Sequence, residues 1–531
     1  MPILSARGGL AEPFPESDPS QADFPVLQAP SQRRPWDYGL ALLLVVPWLS
    51  PYTAGPTPNA WPWLISAFCA LGLWLLRSRL DARLIAGAWL LAAAVSAAIG
   101  LLQYFGLAPA LSPWVSQTSP GEAFANLRQR NQFATLTSIG LIALIALMTR
   151  QAPAKPVPWP ASLLMLLLAL GNAASLSRTG LLQWALVLAF TAWWALPDFK
   201  ARRPLVLFAL QALLAYLIAG FALPWLLQLS TGIASGGLFG RLAEEAGCGS
   251  RKVLWSNVLT LIGQKPWLGW GWGELDYAHF MTLYPGPRFC EILDNAHNLP
   301  LHLAVELGVP AALTICMVAL WLIWRGKPWR ETDPQRQMAW AVLAVIGLHS
   351  LLEYPLWYGP FQIAFVLCVG LLWPGAGRFF PDYQQNKALA QWIRALVAMI
   401  IISVLLTMAV SYYRVSQIYL PPEQRMAAYR DDPLKQIQGS WLYRNQARFA
   451  ELSTTVLTPD NAAAQHAMAR ELLHYSPEPK VIEKLIESAV MQGDDAAALH
   501  YLARYRAAFP KEHALWVRAQ ASPKARQSAR Q

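Results

Sequence analysis

The feature that most constrains this chain is a series of long apolar runs. Residues 40–49, 84–102 and 397–410 are apolar on nearly every side and not on one stripe, which is typical of segments buried in a lipid bilayer. Of 531 residues, 55% are hydrophobic and only 14% are charged, whereas an ordinary soluble protein carries about 25% charged residues. A single water-soluble globule is therefore excluded.

The apolar windows have the length that a membrane helix needs. A hydrocarbon core of about 30 Å requires roughly 20 helical residues. We therefore predict an all-α, polytopic membrane protein of about 11 transmembrane helices, with a long periplasmic loop and a small C-terminal helical domain. The predicted spans cover roughly residues 38–54, 60–76, 84–106, 132–149, 159–175, 179–196, 204–228, 302–324, 338–353, 356–375 and 391–414.

The basic residues predict how these spans are oriented. The net charge of +11 comes from cations in short clusters between apolar runs, which favours topology determinants over a nucleic-acid surface. With a cytoplasmic N-terminus every inside loop is basic, and an odd number of spans puts the C-terminus in the periplasm of a bacterial-type cell. We thus predict an inner-membrane protein.

The same reasoning predicts three domains. Residues 1–35 are Pro-rich and lack an apolar h-region, so we expect a disordered cytoplasmic segment followed by a first span that acts as an uncleaved signal. Residues 36–414 form the predicted transmembrane domain, with its large periplasmic loop at 229–300. Residues 415–531 form the predicted periplasmic helical domain.

Several arginines fall at predicted outer ends of spans, where the positive-inside rule disfavours cations. Arg128 precedes the fourth span, Arg178 lies in the minimal turn between the fifth and sixth spans, and Arg251 begins an amphipathic stretch in the long loop. Any one of them is equally well explained by contact with lipid headgroups. As a group they suit a lipid-linked pyrophosphate, because each guanidinium can bind two oxygens at fixed geometry.

A second polar feature lies where the long loop re-enters the membrane. His297 and Asn298 belong to the string DNAHNLPLHLAVELG at residues 294–308. An isolated histidine at such a position is more often an interfacial residue than a catalytic one. The external carboxylates form no DxD-like pair and the five cysteines no CxxC pair, so we expect neither a divalent metal nor another cofactor.

Four strings, in order along the chain, resemble the bacterial O-antigen ligase superfamily, and within it the protein O-oligosaccharyltransferases that glycosylate pilins. They are RQRNQFA at 128–134, SRTG at 177–180, AHNLPLHLAVELG at 296–308 and HSLLEYP at 349–355. The run PWLGWGWG at 266–273 is similar to a Pro-x-x-Gly-x-Gly element of the same family; no Lys-Ser/Thr follows it, which argues against a nucleotide loop.

The resemblance implies a glycosyltransferase that moves an oligosaccharide from undecaprenyl pyrophosphate to Ser or Thr hydroxyls of a periplasmic protein such as a pilin. Alternatives are an O-antigen ligase or polymerase acting on lipid A core or on a glycan, and a transporter of the lipid-linked glycan. The halves of the chain show no internal repeat, which disfavours the transporter.

The resemblance and the charges together suggest roles for individual residues. We expect His297 to be the general base, Arg178 and Arg251 to be catalytic residues of a pyrophosphate clamp, and Glu306 or Glu353 to orient the histidine. The residues expected to bind substrate are Arg128, Asn131, Gln132, Asn298, Glu306 and Glu353.

Two cysteines and the C-terminal tail complete the predictions. Cys248 and Cys290 are the only cysteines in the long loop, and because the periplasm oxidises paired thiols, we predict a disulfide between them. In the tail, a helical period occurs at residues 462–475, 479–492 and 496–509. Their offsets resemble the second half of one tetratricopeptide-type repeat, and an acceptor-binding role for this domain is a hypothesis.

Overall fold

The computed structural model describes residues 35–149, 157–234, 247–373, 387–437 and 439–521. All regular elements in these ranges are helices, as predicted. Of the segment predicted to be disordered, only Pro35 belongs to the described residues. Residues 235–246 of the predicted large loop also lie outside them.

The first half of the chain forms a closely packed helical bundle. Its third helix is rich in alanine, and Ala92, Ala93 and Ala97 are fully buried. A side chain at Gly140 would overlap Ala93, so small residues allow the neighbouring helices to approach closely. The helices are α1 (Pro35–Leu49), α2 (Trp61–Leu75), α3 (Ala82–Tyr104), α4 (Arg130–Thr149), α5 (Trp159–Ala174), α6 (Arg178–Ala195) and α7 (Phe199–Thr231).

The second half continues with helices of both the bundle and the long loop. These are α8 (Arg251–Gln264), α9 (Leu275–Met281), α10 (Leu299–Leu307), α11 (Val309–Gly326), α12 (Pro334–Ser350), α13 (Gly359–Leu372) and α14 (Lys387–Ser416). Helices α12 and α13 pack into the same apolar core as α1 and α3 to α7, through residues such as Val342, Val345, Phe361 and Ala364.

Length and composition identify five segments of the described chain that are able to cross a membrane. They are Ala82–Tyr104, Arg130–Thr149, Arg178–Thr231, Val309–Arg330 and Gln391–Tyr419. Four further apolar helices, α1, α2, α5 and α13, are 10–17 residues long. The chain is therefore built for multiple passes through a membrane, while the number of eleven spans stays a prediction.

One predicted span differs from the structure at its start. The single helix expected over residues 302–324 is two helices, α10 and α11, separated by Gly308 with φ +87°. A side chain at Gly308 would overlap the backbone of Trp267, and the amide of Val309 donates to the carbonyl of Pro266 at 2.8 Å. The apolar run continues through this break, so hydropathy alone does not reveal it.

The long loop forms a small folded unit on α8, α9 and α10. Leu254, Val258 and Leu261 of α8 pack against Leu275 of α9 and Val305 of α10. Cys248 and Cys290 form a disulfide in this unit, with their Cα atoms 5.4 Å apart.

The tail contains α15 (Pro433–Ile437), α16 (Arg444–Thr454), α17 (Ala462–Leu472), α18 (Pro479–Met491), α19 (Asp495–Ala508) and α20 (Pro510–Ala521). The helices predicted at 462–475, 479–492 and 496–509 correspond to α17, α18 and α19. Phe280 of α9 is buried in the apolar core of the tail, and Arg504 Nε donates to the carbonyl of Met281 at 2.9 Å. The tail therefore packs against the long loop.

Candidate active site

His297 lies in a short turn that fixes its backbone. Its φ is +49°, in the left-handed region, and its amide donates to Asn295 Oδ1 at 2.8 Å. Asn298 follows as the N-cap of α10, because its Oδ1 accepts from the amide of Leu301 at 3.1 Å. The side-chain amide of Asn298 also donates to the carbonyl of Leu351 at 3.1 Å, which holds this turn beside the end of α12.

Glu353 is the carboxylate that contacts the histidine. His297 Nδ1 lies 2.6 Å from Glu353 Oε2, while Oε1 accepts hydrogen bonds from Arg251 and, at 3.0 Å, from Asn131 Nδ2. Burial alone would raise the pKa of Glu353, but the hydrogen bond from His297 and the charge of Arg251 outweigh burial and hold the pKa below its ordinary value. Glu353 is therefore an ionised partner for both the histidine and the arginine.

Arg251 is positioned by the start of α8. Ser250 is the N-cap of this helix and accepts from the amide of Val253, and the disulfide at Cys248 lies two residues earlier. Arg251 Nη2 contacts Glu353. Its other terminal nitrogen, Nη1, is buried without a hydrogen bond from the described residues, so this guanidinium retains a donor for a further oxygen.

Arg178 reaches the same region through its neighbour. Ser177 is the N-cap of α6 and donates to Asn131 Oδ1 at 2.6 Å. Since Asn131 donates in turn to Glu353, the start of α6 is joined to the cluster. The side chain of Arg178 itself is exposed, at the N-terminal end of a long apolar helix, where anions are favoured.

Two predicted substrate-binding residues hold other parts of the structure. Arg128, at φ +60°, donates to Ser116 Oγ at 3.1 Å and to the carbonyl of Pro51 at 2.9 Å. Gln132 is buried, and its backbone N–H donates to Gln129 Oε1. Neither is among the hydrogen-bond partners of Glu353 described above.

Glu306 lies apart from the Glu353 contacts. It is buried next to His302, with 3.5 Å between His302 Nε2 and Glu306 Oε2. Burial raises the pKa of Glu306 to about 7. Of the two carboxylates considered as partners of His297, the structure thus places Glu353 in contact with the histidine and Glu306 in contact with His302.

The Trp-Gly run supports α10 from outside. The amide of Trp270 donates to the carbonyl of Val305 at 2.9 Å, and the amide of Gly271 to that of Glu306 at 3.0 Å. Gly269 has φ +68°, and a side chain there would overlap the backbone of Glu306. This run is therefore hydrogen-bonded to α10, the helix that follows His297. The positive φ of Gly269 and its close approach to the backbone of Glu306 both require glycine.

Sequence reasoning missed two parts of this arrangement. One is Ser177, whose capping hydroxyl connects α6 to Asn131; a serine shortly before an apolar helical run was the available signal. The other is a set of buried polar side chains beneath Asn131, described below. Within the described residues, no group of three or more His, Cys, Asp or Glu side chains is placed to hold a metal ion.

Comparison with protein families assigns three consecutive segments of the chain. Residues 123–148 match a family described as protein glycosylation ligase, residues 161–316 match O-antigen ligase, and residues 337–523 match the C-terminal part of virulence factor membrane-bound polymerases. The chain is thus similar to O-antigen ligases over residues 161–316. The cluster around Glu353 draws on all three matched segments, since Asn131 lies in the first, His297 in the second and Glu353 in the third.

Two curated relatives come from Acinetobacter baylyi. A general O-oligosaccharyltransferase is 26% identical over 266 residues, which is 49% of this chain and 45% of that protein. A ComP-specific O-oligosaccharyltransferase is 26% identical over 253 residues, 47% of this chain and 43% of that protein. The matched region thus spans less than half the length of either relative. Together with the apolar helices, these similarities indicate a multi-pass membrane protein.

Proposed function

We propose that this protein is an inner-membrane glycosyltransferase that transfers an oligosaccharide from undecaprenyl pyrophosphate to Ser or Thr hydroxyls of a periplasmic protein such as a pilin. The observation that carries the proposal is the contact of His297 with an ionised Glu353 that is also paired with Arg251. Both matched relatives are O-oligosaccharyltransferases, which supports a protein acceptor.

The geometry suits His297 for the role of general base. A histidine whose Nδ1 hydrogen is held by a carboxylate presents Nε2 as an acceptor, and the carboxylate stabilises the imidazolium that forms. The His297 side chain is 25% exposed and Glu353 only 9%, so the base remains accessible while its partner is buried. The acceptor oxygen would attack the anomeric carbon as its proton passes to Nε2.

The leaving group requires positive charge and not a proton. When the bond between the anomeric carbon and the pyrophosphate oxygen breaks, the electron pair stays on the pyrophosphate. Arg251, with an unused buried Nη1 donor, and Arg178, at the start of α6, would stabilise that charge. The products are the glycosylated hydroxyl and undecaprenyl pyrophosphate, and the proton on His297 is then released to solvent.

A second candidate function uses the same chemistry with a different acceptor. The match of residues 337–523 to membrane-bound polymerases, and of residues 161–316 to O-antigen ligases, favours a glycan chain or lipid A core as that acceptor. The catalytic cluster is common to both functions, so only the acceptor distinguishes them.

The test is a transfer assay with the full chain in proteoliposomes. Undecaprenyl pyrophosphate-linked oligosaccharide is supplied together with a pilin, lipid A core or a free glycan, and products are identified by mass spectrometry. We expect glycan on pilin Ser or Thr, with His297→Ala reduced on the order of a hundredfold or more at equal protein level. If only lipid A core or a free glycan is modified, that molecule and not a protein is the acceptor. Full activity of His297→Ala would exclude His297 as the general base.

A further inference from the structure

A row of polar side chains lies inside the helical bundle directly beneath the candidate active site. Thr135 and Ser138 of α4, Gln183 of α6 and His349 of α12 are each at most 1% exposed. Polar groups at this depth are costly unless they are hydrogen-bonded, and within membrane segments they commonly have a function.

Gln183 connects the three helices through its amide group. Its Nε2 donates to Thr135 Oγ1 at 2.8 Å and to the carbonyl of Val345 at 3.0 Å. Its Oε1 lies 3.1 Å from Ser138 Oγ, whose single hydrogen is shared with the carbonyl of Ala134 at 2.8 Å. The two bonds from Nε2 fix this side chain of α6 to α4 and α12.

Thr135 lies at the centre of this row. Its hydroxyl donates to the carbonyl of Asn131 at 2.8 Å and accepts from Gln183. It also lies 2.9 Å from His349 Nδ1. A hydroxyl has one hydrogen, so all three contacts are satisfied together in the tautomer in which Asn131 receives that hydrogen and His349 Nδ1 is the donor. The three bonds use the full capacity of the hydroxyl.

Both ends of the row reach Glu353. Thr135 holds the backbone of Asn131, whose side chain donates to Glu353 Oε1. His349 lies one turn before Glu353, and the amide of Glu353 donates to the carbonyl of His349 at 2.8 Å. The same buried side chains therefore fix the donor to the carboxylate and the backbone that carries it.

We propose that Thr135, Gln183 and His349 form a positioning network that holds the Glu353 carboxylate and, through it, the ring of His297. These residues contact no substrate; they set the geometry of the groups that do. The proposal takes its readout from the proposed glycosyl transfer and is otherwise independent of which acceptor is used. A displacement of about 1 Å at a reacting group costs on the order of a hundredfold in rate.

The chain offers a closely matched control for a purely structural role. Thr137 lies on the same helix and is fully buried, and among the described residues its hydroxyl donates only to the carbonyl of Ala134, at 2.7 Å. Thr137→Val therefore removes a buried hydroxyl from α4 without touching the network. Thr135→Ser keeps the hydroxyl and removes only a methyl group.

The experiment measures kcat and the KM for donor in proteoliposomes, together with the unfolding temperature. For Thr135→Val we expect kcat to fall about tenfold to a hundredfold, with KM within about twofold of the wild type. Thr135→Ser should recover most of the rate, and Thr137→Val should keep it although its unfolding temperature falls through the loss of one buried hydrogen bond. Gln183→Leu should behave like Thr135→Val.

A double-mutant cycle tests whether the network acts through Glu353. In the Glu353→Gln background, Thr135→Val should lower kcat by less than about threefold, because the carboxylate that it positions is already lost. Equal kcat for Thr135→Val and Thr137→Val, or fully additive effects in the cycle, would overturn the network. The product formed by the wild type identifies the acceptor. The ratio of variant kcat to wild-type kcat tests the positioning network, whichever acceptor, water included, receives the glycan.

Discussion

The carboxylate of Glu353 accepts hydrogen bonds from residues that are far apart in sequence. Asn131, Arg251 and His297 come from the start of α4, the start of α8 and the turn before α10. Each donates to an oxygen of the same buried group, and His297 and Arg251 hold the pKa of Glu353 below its ordinary value against the effect of burial. Removing the charge at this one position therefore changes the environment of all three donors.

Glu353→Gln is predicted to lower kcat to a reduced but measurable value and to remove an acid-dependent part of the stability. Because the pKa of Glu353 is lowered on folding, its contribution to the free energy of unfolding is present above the ordinary glutamate value of 4.5 and is lost as the pH falls through the lower folded value. The unfolding temperature of the wild type should thus decline more steeply below about pH 4.5 than that of Glu353→Gln. Thermal unfolding in detergent from pH 7 to pH 3 measures this, and parallel curves would contradict it.

Arg251→Lys and Arg178→Lys are predicted to impair transfer although the charge is kept. A lysine side chain has a single nitrogen. It therefore cannot contact Glu353 and a pyrophosphate oxygen with separate nitrogens at fixed geometry, as a guanidinium can. We expect kcat/KM for the donor to fall about tenfold or more for Arg251→Lys. Arg130→Lys is the matched control, since Arg130 pairs with Glu122. If all three lysine variants retain equal activity, the proposal that Arg178 and Arg251 bind the pyrophosphate is wrong.

At the scale of elements, the break between α10 and α11 is held by glycine. Gly308→Ala and Gly269→Ala should each reduce the yield of folded protein, because each φ is positive and a side chain would overlap the opposing backbone. The strained φ alone costs about 1–3 kcal/mol. Gly263→Ala, in α8 with open space around it, should instead preserve or slightly raise the unfolding temperature. Unfolding curves of the three variants measure this. Equal stability of all three would refute the requirement for glycine at positions 269 and 308.

The disulfide joins two elements of the site. Cys248 precedes α8, which begins at Arg251, and Cys290 lies in the segment that leads to His297, at a sequence separation of 42 from Cys248. Closing such a loop stabilises the folded state by about 4 kcal/mol in the chain-entropy model. Cys248→Ser should therefore lower the unfolding temperature and kcat together. In the oxidised, denatured wild type neither cysteine should react with a thiol reagent before reduction, and labelling of both would exclude the bridge.

At the scale of the whole molecule, hydropathy and the order of the motifs predicted the helices better than they predicted the contacts between side chains. Apart from residues 302–324, which form two helices, each apolar window corresponds to one helix, because the bilayer length and the apolar composition determine it locally. The pairing of His297 with Glu353, in preference to Glu306, was not predictable because it depends on how α10 and α12 pack. Thr135 and Gln183 were missed for the same reason, since a lone Thr or Gln in an apolar run carries no periodic signal.

The site residues lie at one end of the bundle, which makes the orientation testable. Asn131 and Arg178 lie at the starts of α4 and α6, and Glu353 follows the end of α12. The opposite ends of α6 and α12 lie near the basic segment at 325–336, where Trp193 and Trp194 donate to the carbonyls of Trp329 and Pro328. The positive-inside rule predicts that this end is cytoplasmic and that the site faces the periplasm.

A reporter that is active only in the periplasm should therefore be active when fused after Gln531 and silent when fused after Arg330. The second fusion point lies in the basic connection between α11 and α12, on the end of the bundle away from Glu353. A cytoplasmic reporter at the same two points is the control and should give the opposite pattern. If the fusion after Arg330 is active in the periplasm, the cluster faces the cytoplasm, where a periplasmic acceptor cannot reach His297, and the topology and the proposed function both fail.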